Sequence, residues 1–190
     1  PFRESLRRFV ERTEPTTDVS VYLGFSQDPR SRGVLGENYW IYNTLDHDDT
    51  YRRRGEWVQK LEPIQAYVTF LSLHDPQATS HTAEILAWTD YKTFARWQQQ
   101  PWLHRDEEYQ ALKERLTDTL INFVDRHIPG FANIVEYKEL STPITNEHFT
   151  GHYHGGIYGL PAVTERFRKE NLDWTRPTTP VPGLYLTGVD

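Results

Sequence analysis

The chain has 190 residues, six Trp and eleven Tyr, no Cys, and a formal net charge of −6. That length supports one sizeable core built on large aromatic side chains, so a single domain is the default. The missing cysteine excludes disulfides, thiolate nucleophiles and Cys-based metal centres, and the acidic balance speaks against nucleic acid as a partner, which rewards clustered Lys and Arg.

Phe2, Leu6, Phe9 and Val10 recur at helical spacing until Pro15, which predicts a short amphipathic helix at the start. Val19, Val21, Leu23 and Phe25 then alternate with Ser20, Tyr22, Gly24 and Ser26, and Asn38–Asn43 is aromatic and β-branched. Both read as strands, and the polar loop Asp28–Gly33 between them suggests that they pair as neighbours. Gln65–Leu73 is apolar on both faces, as a central buried strand would be, and His74-Asp-Pro76 closes it. His81–Trp88 is the next strand, after which Asp90 is expected to cap a helix carrying Tyr91, Phe94 and Trp97 as far as Pro101.

The clearest helix runs from about Asp106 to His127, with Tyr109, Leu112, Leu116, Leu120, Phe123 and Val124 on one face and acidic residues at its start. Ile134–Tyr137 is a further strand. Residues 142–159 read as an irregular glycine-rich stretch, followed by a short helix around 162–170, a proline-rich crossing at Arg176–Pro182, and a short buried strand that enters a glycine turn at Gly188-Val-Asp190. Five or six strands without regular βαβ alternation predict an α+β fold with a mixed, largely antiparallel sheet flanked by helices. The closing turn, with no chain after it, reads as the end of a piece of a larger protein.

Familiar nucleotide and hydrolase motifs are missing: there is no Gly-x-Gly-x-x-Gly between strand and helix, no P-loop, no Gly-x-Ser-x-Gly and no His-Glu-x-x-His. Gly151-x-x-x-Gly-Gly-x-x-Gly159 has the wrong spacing for a dinucleotide fingerprint. His148, His152 and His154 could supply three imidazoles to zinc or iron, against the plainer reading of a polar loop lining a cleft; the expectation is no metal. Asp46-His-Asp-Asp49 fits a hydrated turn. Arg3, Arg7, Arg8 and Arg12 flank the stripe of the first helix, but Glu4, Glu11 and Glu14 dilute them, which favours an ordinary docked helix over one lying on an anionic membrane. No apolar run is long enough to cross a bilayer, so the expected location is cytoplasmic, with peripheral membrane contact left open.

Two blocks, Ser141–Leu160 and Arg176–Asp190, together with Ser72–Pro76 and the strand His81–Trp88, resemble the FAD-dependent phytoene desaturase, carotenoid isomerase and retinol saturase group. The likeness extends over about residues 65–190. It implies a two-domain flavoprotein, of which residues 1–175 would be the substrate-binding domain. Residues 176–190 would be a return strand toward a Rossmann FAD domain that lies mostly outside the chain and would be its partner. By that resemblance Gly188, Val189 and Asp190 would pass the FAD pyrophosphate and ribityl chain. Gly155 and Gly156 would approach the isoalloxazine, with Phe149, His152, His154 and Tyr158 on a hydrophobic polyene substrate.

Small residues let backbone lie against a flat ring, and aromatics suit a long apolar ligand. His152 and His154 stand where the group often has other residues. The implied chemistry is flavin-mediated desaturation, saturation or isomerisation, in which the protein binds and orients; no catalytic residue is nominated. The alternatives are a non-catalytic domain for an apolar ligand and a histidine metalloenzyme.

Overall fold

The computed structural model describes residues 2–161, 163–168 and 176–188. Five strands form one sheet: β1 (Thr17–Phe25), β2 (Tyr39–Tyr42), β3 (Gln65–Thr69), β4 (His81–Thr89) and β5 (Val135–Ser141), in the order β2-β3-β4-β1-β5. Every pairing between them is antiparallel. The expected α+β class holds.

Strand alternation decides which face is buried. Val19, Val21, Leu23 and Phe25 of β1 are buried, and the register sets Val21 beside Ile85 of β4 and Leu140 of β5. Directly opposed residues share a face, so these side chains form one apolar layer. The helices are α1 (Phe2–Val10), α2 (His47–Arg52), α3 (Glu56–Lys60), α4 (Glu107–Asp125) and α5 (Pro143–Thr150). Leu116, Leu120, Phe123 and Val124 of α4 complete the core with that layer. Asp106 starts α4 by accepting from the backbone N–H of Tyr109 at 2.9 Å, the role its position in the sequence suggests.

Trp57 ties α3 to the sheet. Its indole is 1% exposed and its Nε1 donates to the carbonyl of Trp88 at 2.7 Å. Trp57→Phe is expected to cost about 2 kcal/mol, from a lost hydrogen bond and a partly unfilled site, and chemical denaturation of the two proteins would measure it.

Several elements differ from the expectation. β1 and β2 are not neighbours: β1 lies between β4 and β5, and β2 pairs with β3 at the edge. The loop between them therefore crosses the sheet. β3 is the expected interior strand, between β2 and β4 and buried on both faces, but it ends at Thr69, and Leu71–Leu73 is a 3-10 turn. Asp90 makes no side-chain cap; its carboxylate meets the Arg54 guanidinium at 2.9 Å, and only short 3-10 turns follow at Tyr91–Thr93 and Ala95–Trp97.

The stretch after β5 is not wholly irregular, since α5 occupies its first part with Pro143 in the opening turn and Gly151 in the left-handed conformation after its end. The helix expected near 162–170 is a 3-10 turn over Thr164–Phe167 among the described residues. The closing segment is not a buried strand. Leu184 and Tyr185 are exposed, and a single bridge, Thr178 with Tyr185, folds the segment back on the proline-rich crossing. A lone strand cannot satisfy its own backbone, so it pairs locally where no sheet edge receives it. Among the described residues no helix is long and apolar enough to cross a membrane.

Candidate functional site

Helix α1 ends where the Thr13 hydroxyl turns back to donate to the Phe9 carbonyl at 2.8 Å, and Pro15 then stops any continuation. The chain passes Thr16, whose carbonyl accepts from the N–H of Ile157 at 3.0 Å. That one bond sets the loop after α5 alongside the entry to β1. Two glycines hold the loop there. A Cβ on Gly155, whose φ is 62°, would lie 1.9 Å from the Pro143 carbonyl oxygen, and one on Gly156 would lie 2.9 Å from the Pro15 ring. The loop is thus clamped between the first turn of α5 and the residue that closes α1.

Between these walls runs an apolar groove of about 220 Å³. Val10, Thr13 and Pro15 form one side, and His152, Tyr158 and Leu160 are on the other. Two of the four residues expected to meet substrate, His152 and Tyr158, therefore share this groove. Tyr153 also lines it, a residue the sequence reading passed over between its two histidines.

His152 is fixed at one edge of its ring. Its Nδ1 lies 2.9 Å from the Gly156 carbonyl oxygen, an atom that only accepts, so Nδ1 carries the proton and donates. His154 has a different setting: its ring is sandwiched between Tyr91, at 4.3 Å, and Tyr153, at 3.8 Å, and its Nδ1 meets the Glu14 carboxylate at 3.0 Å. It has a φ of 50°, in the left-handed region that few non-glycine residues adopt. Tyr91 in turn donates to Glu147 at 2.5 Å, and burial together with that bond pushes its phenol well above the ordinary range. His154 acts as a strut behind the groove wall.

His148 and Phe149 lie elsewhere. His148 stacks on Trp102 at 5.5 Å, and Phe149 sets its edge against the same indole at 5.1 Å on an exposed flank of α5. The three histidines thus turn to Trp102, Gly156 and Glu14. Among the described residues no three His, Asp or Glu side chains are grouped to hold a metal ion.

Of the residues the resemblance assigns to FAD, Gly155, Gly156 and Gly188 are among the described ones. Gly155 and Gly156 are buried, and their need for glycine is met by Pro143 and Pro15. Gly188 has a φ of 119° and nothing within 4 Å of the Cβ position, so its backbone stands open. Val189 and Asp190 lie outside the described residues.

The sequence reading missed Asp18, a buried carboxyl at the start of β1. It is 1% exposed, accepts from Ser20 Oγ at 3.3 Å and from Asn146 Nδ2 at 3.4 Å, and lies two residues beyond Thr16. Burial raises its carboxyl to about 6, the Glu84 carboxylate adds to the rise, and the two long hydrogen bonds oppose it. Glu84 itself is raised, chiefly by its own burial. The only sequence signal was a charge inside the alternating run of β1, where a polar position reads as solvent-facing.

Over 90% of its length the chain is homologous to all-trans-retinol 13,14-reductases. It is 29% identical over 181 residues to the one from Danio rerio, and 26% identical over 182 residues to the one from Homo sapiens. A further relative from Danio rerio, 24% identical over 178 residues, is described as an inactive all-trans-retinol 13,14-reductase. The chain spans about 30% of the length of these relatives. No protein-family model matches it, and no solved structure does.

Proposed function

We propose, on the premise that this chain is a homologue of one part of the all-trans-retinol 13,14-reductases, that it is the substrate-binding part of a larger FAD-dependent oxidoreductase acting on a hydrophobic polyene. The observation that carries the reading is the apolar groove between Val10–Pro15 and the loop from His152 to Leu160. A long apolar ligand gains about 25 cal/mol for each Å² it withdraws from water, and aromatic walls suit a conjugated chain.

Among the described residues no flavin site is assembled by this chain alone. Gly155 and Gly156 are accounted for by their own packing, and only Gly188 among the assigned glycines leaves its Cβ side open. FAD would therefore be held mainly by the remainder of the larger protein. It would supply the hydride or electron chemistry, while this chain binds and orients the polyene and keeps water from it.

The full-length protein is expected to purify with a flavin absorbance spectrum and to bind all-trans-retinol, followed by quenching of its intrinsic fluorescence. Leu160→Asp, which sets a charge in the groove, should weaken that binding about tenfold or more, because an apolar ligand cannot solvate a carboxylate. A colourless intact protein would remove the flavin from the proposal; unchanged binding by the Leu160→Asp variant would remove the groove. A second reading, an apolar-ligand-binding domain without catalysis, draws support from the relative described as inactive. It expects the same binding with no turnover.

A further inference from the structure

We propose that His152 is the specificity-determining residue of the groove, its Nε2 accepting a hydrogen bond from a hydroxyl at the end of an apolar ligand. The inference rests on the reading of the groove as a polyene site and assigns the recognition to one atom.

Nδ1 donates to the Gly156 carbonyl at 2.9 Å, so the neutral ring has its lone pair at Nε2. Nε2 has no hydrogen-bond partner among the described residues, and the ring lines the groove. The Thr13 hydroxyl gives its proton to the Phe9 carbonyl, so it too can only accept, and the His152→Phe variant below tells the two apart. The phenols of Tyr153 and Tyr158, which also reach the walls, can each donate or accept, so neither tells a hydroxyl from an ether or a carbonyl. A bare imidazole nitrogen accepts only. It rewards a ligand that brings a donor and gives nothing to one that brings oxygen lone pairs alone.

Size limits what lies there. At about 220 Å³ the groove is smaller than the roughly 300–1,000 Å³ of pockets that enclose a whole ligand, so it receives one end of a long molecule. The polar terminus of a polyene alcohol fits that role.

The test uses the full-length protein, the polyene alcohol of the titration above and its methyl ether, which matches it in shape but has no O–H. The alcohol is expected to bind about fivefold more tightly, the worth of one neutral hydrogen bond, and the ratio should fall to about one in His152→Phe. Tyr158→Phe should leave the ratio as it is. Imidazole nitrogen resonances give a reading that needs no variant: the Nε2 signal of His152 moves on addition of the alcohol and stays in place with the ether. Equal affinities in the unaltered protein, or an Nε2 signal indifferent to the alcohol, would overturn the role of His152 while leaving the polyene site intact. Binding of neither compound would overturn both.

Discussion

Gly155→Ala is expected to destabilise the protein by about 4 kcal/mol or more and to detach the loop that forms one wall of the groove. Two costs combine. The left-handed backbone, with φ at 62°, costs a non-glycine residue roughly 1–2 kcal/mol. The added Cβ would also stand 1.9 Å from the Pro143 carbonyl oxygen, with the Pro143 Cα at 2.9 Å, so backbone must move on one side or the other. Pro143 opens α5, and α5 bonds to β1 through Asn146, so the displacement has no flexible side chain to absorb it. Gly151→Ala supplies the comparison. Its φ of 69° brings the first cost, but nothing lies within 4 Å of its Cβ position, so a loss of only about 1–2 kcal/mol is expected. Urea unfolding of the two variants measures the difference; equal stabilities would mean that the contact with Pro143 does not hold the loop.

Asp18→Asn should have the opposite sign. In the fold the Asp18 carboxyl is raised from 3.8 to about 6, first by burial and then by Glu84, so the folded state binds its proton more tightly than the unfolded chain does. Its contribution is fully favourable below about pH 4 and is lost as pH rises to about 6. Above that the ionised group opposes folding by up to about 3 kcal/mol. Asparagine keeps an acceptor for Asn146 and, with the serine hydroxyl turned, a partner for Ser20, without the charge. The variant should therefore melt higher than the parent at pH 7 to 8, and the advantage should fade toward pH 4. A variant no more stable at pH 7, with the parental pH dependence retained, would show that Asp18 is not the titrating group.

Particular residues show how far the sequence could be read. The alternation in β1 and the apolar spacing of α4 were plain, because each records the burial of one face of one element. Sheet order was not, since alternation says which face of a strand is buried and nothing about which strand lies beside it; hence the suggested pairing of β1 with β2 does not form. Helix α5 had signals at both ends, Pro143 in its first turn and Gly151 after its last, but its polar interior of Thr145, Asn146, Glu147 and His148 carries little apolar period. The closing segment was read as a buried strand from its composition, whereas burial depends on a partner edge.

The candidate site was half legible. His152 and Tyr158 stood out within one short loop, but the opposite wall, Val10, Thr13 and Pro15, comes from a distant part of the chain through the bond from Ile157 to Thr16. No local pattern reports such a contact. Gly155 and Gly156 were recognised as positions needing small residues. The neighbours that account for that need here are Pro143 and Pro15.

The central claim, that the end of a polyene lies between Val10–Pro15 and His152–Leu160, is tested most directly by photolabelling the full-length protein with a polyene carrying a photoreactive group at its polar end. Mass spectrometry of the digest should place the label on residues of both walls, and excess unlabelled polyene should abolish it. Competed label found only on segments outside those walls would contradict the account.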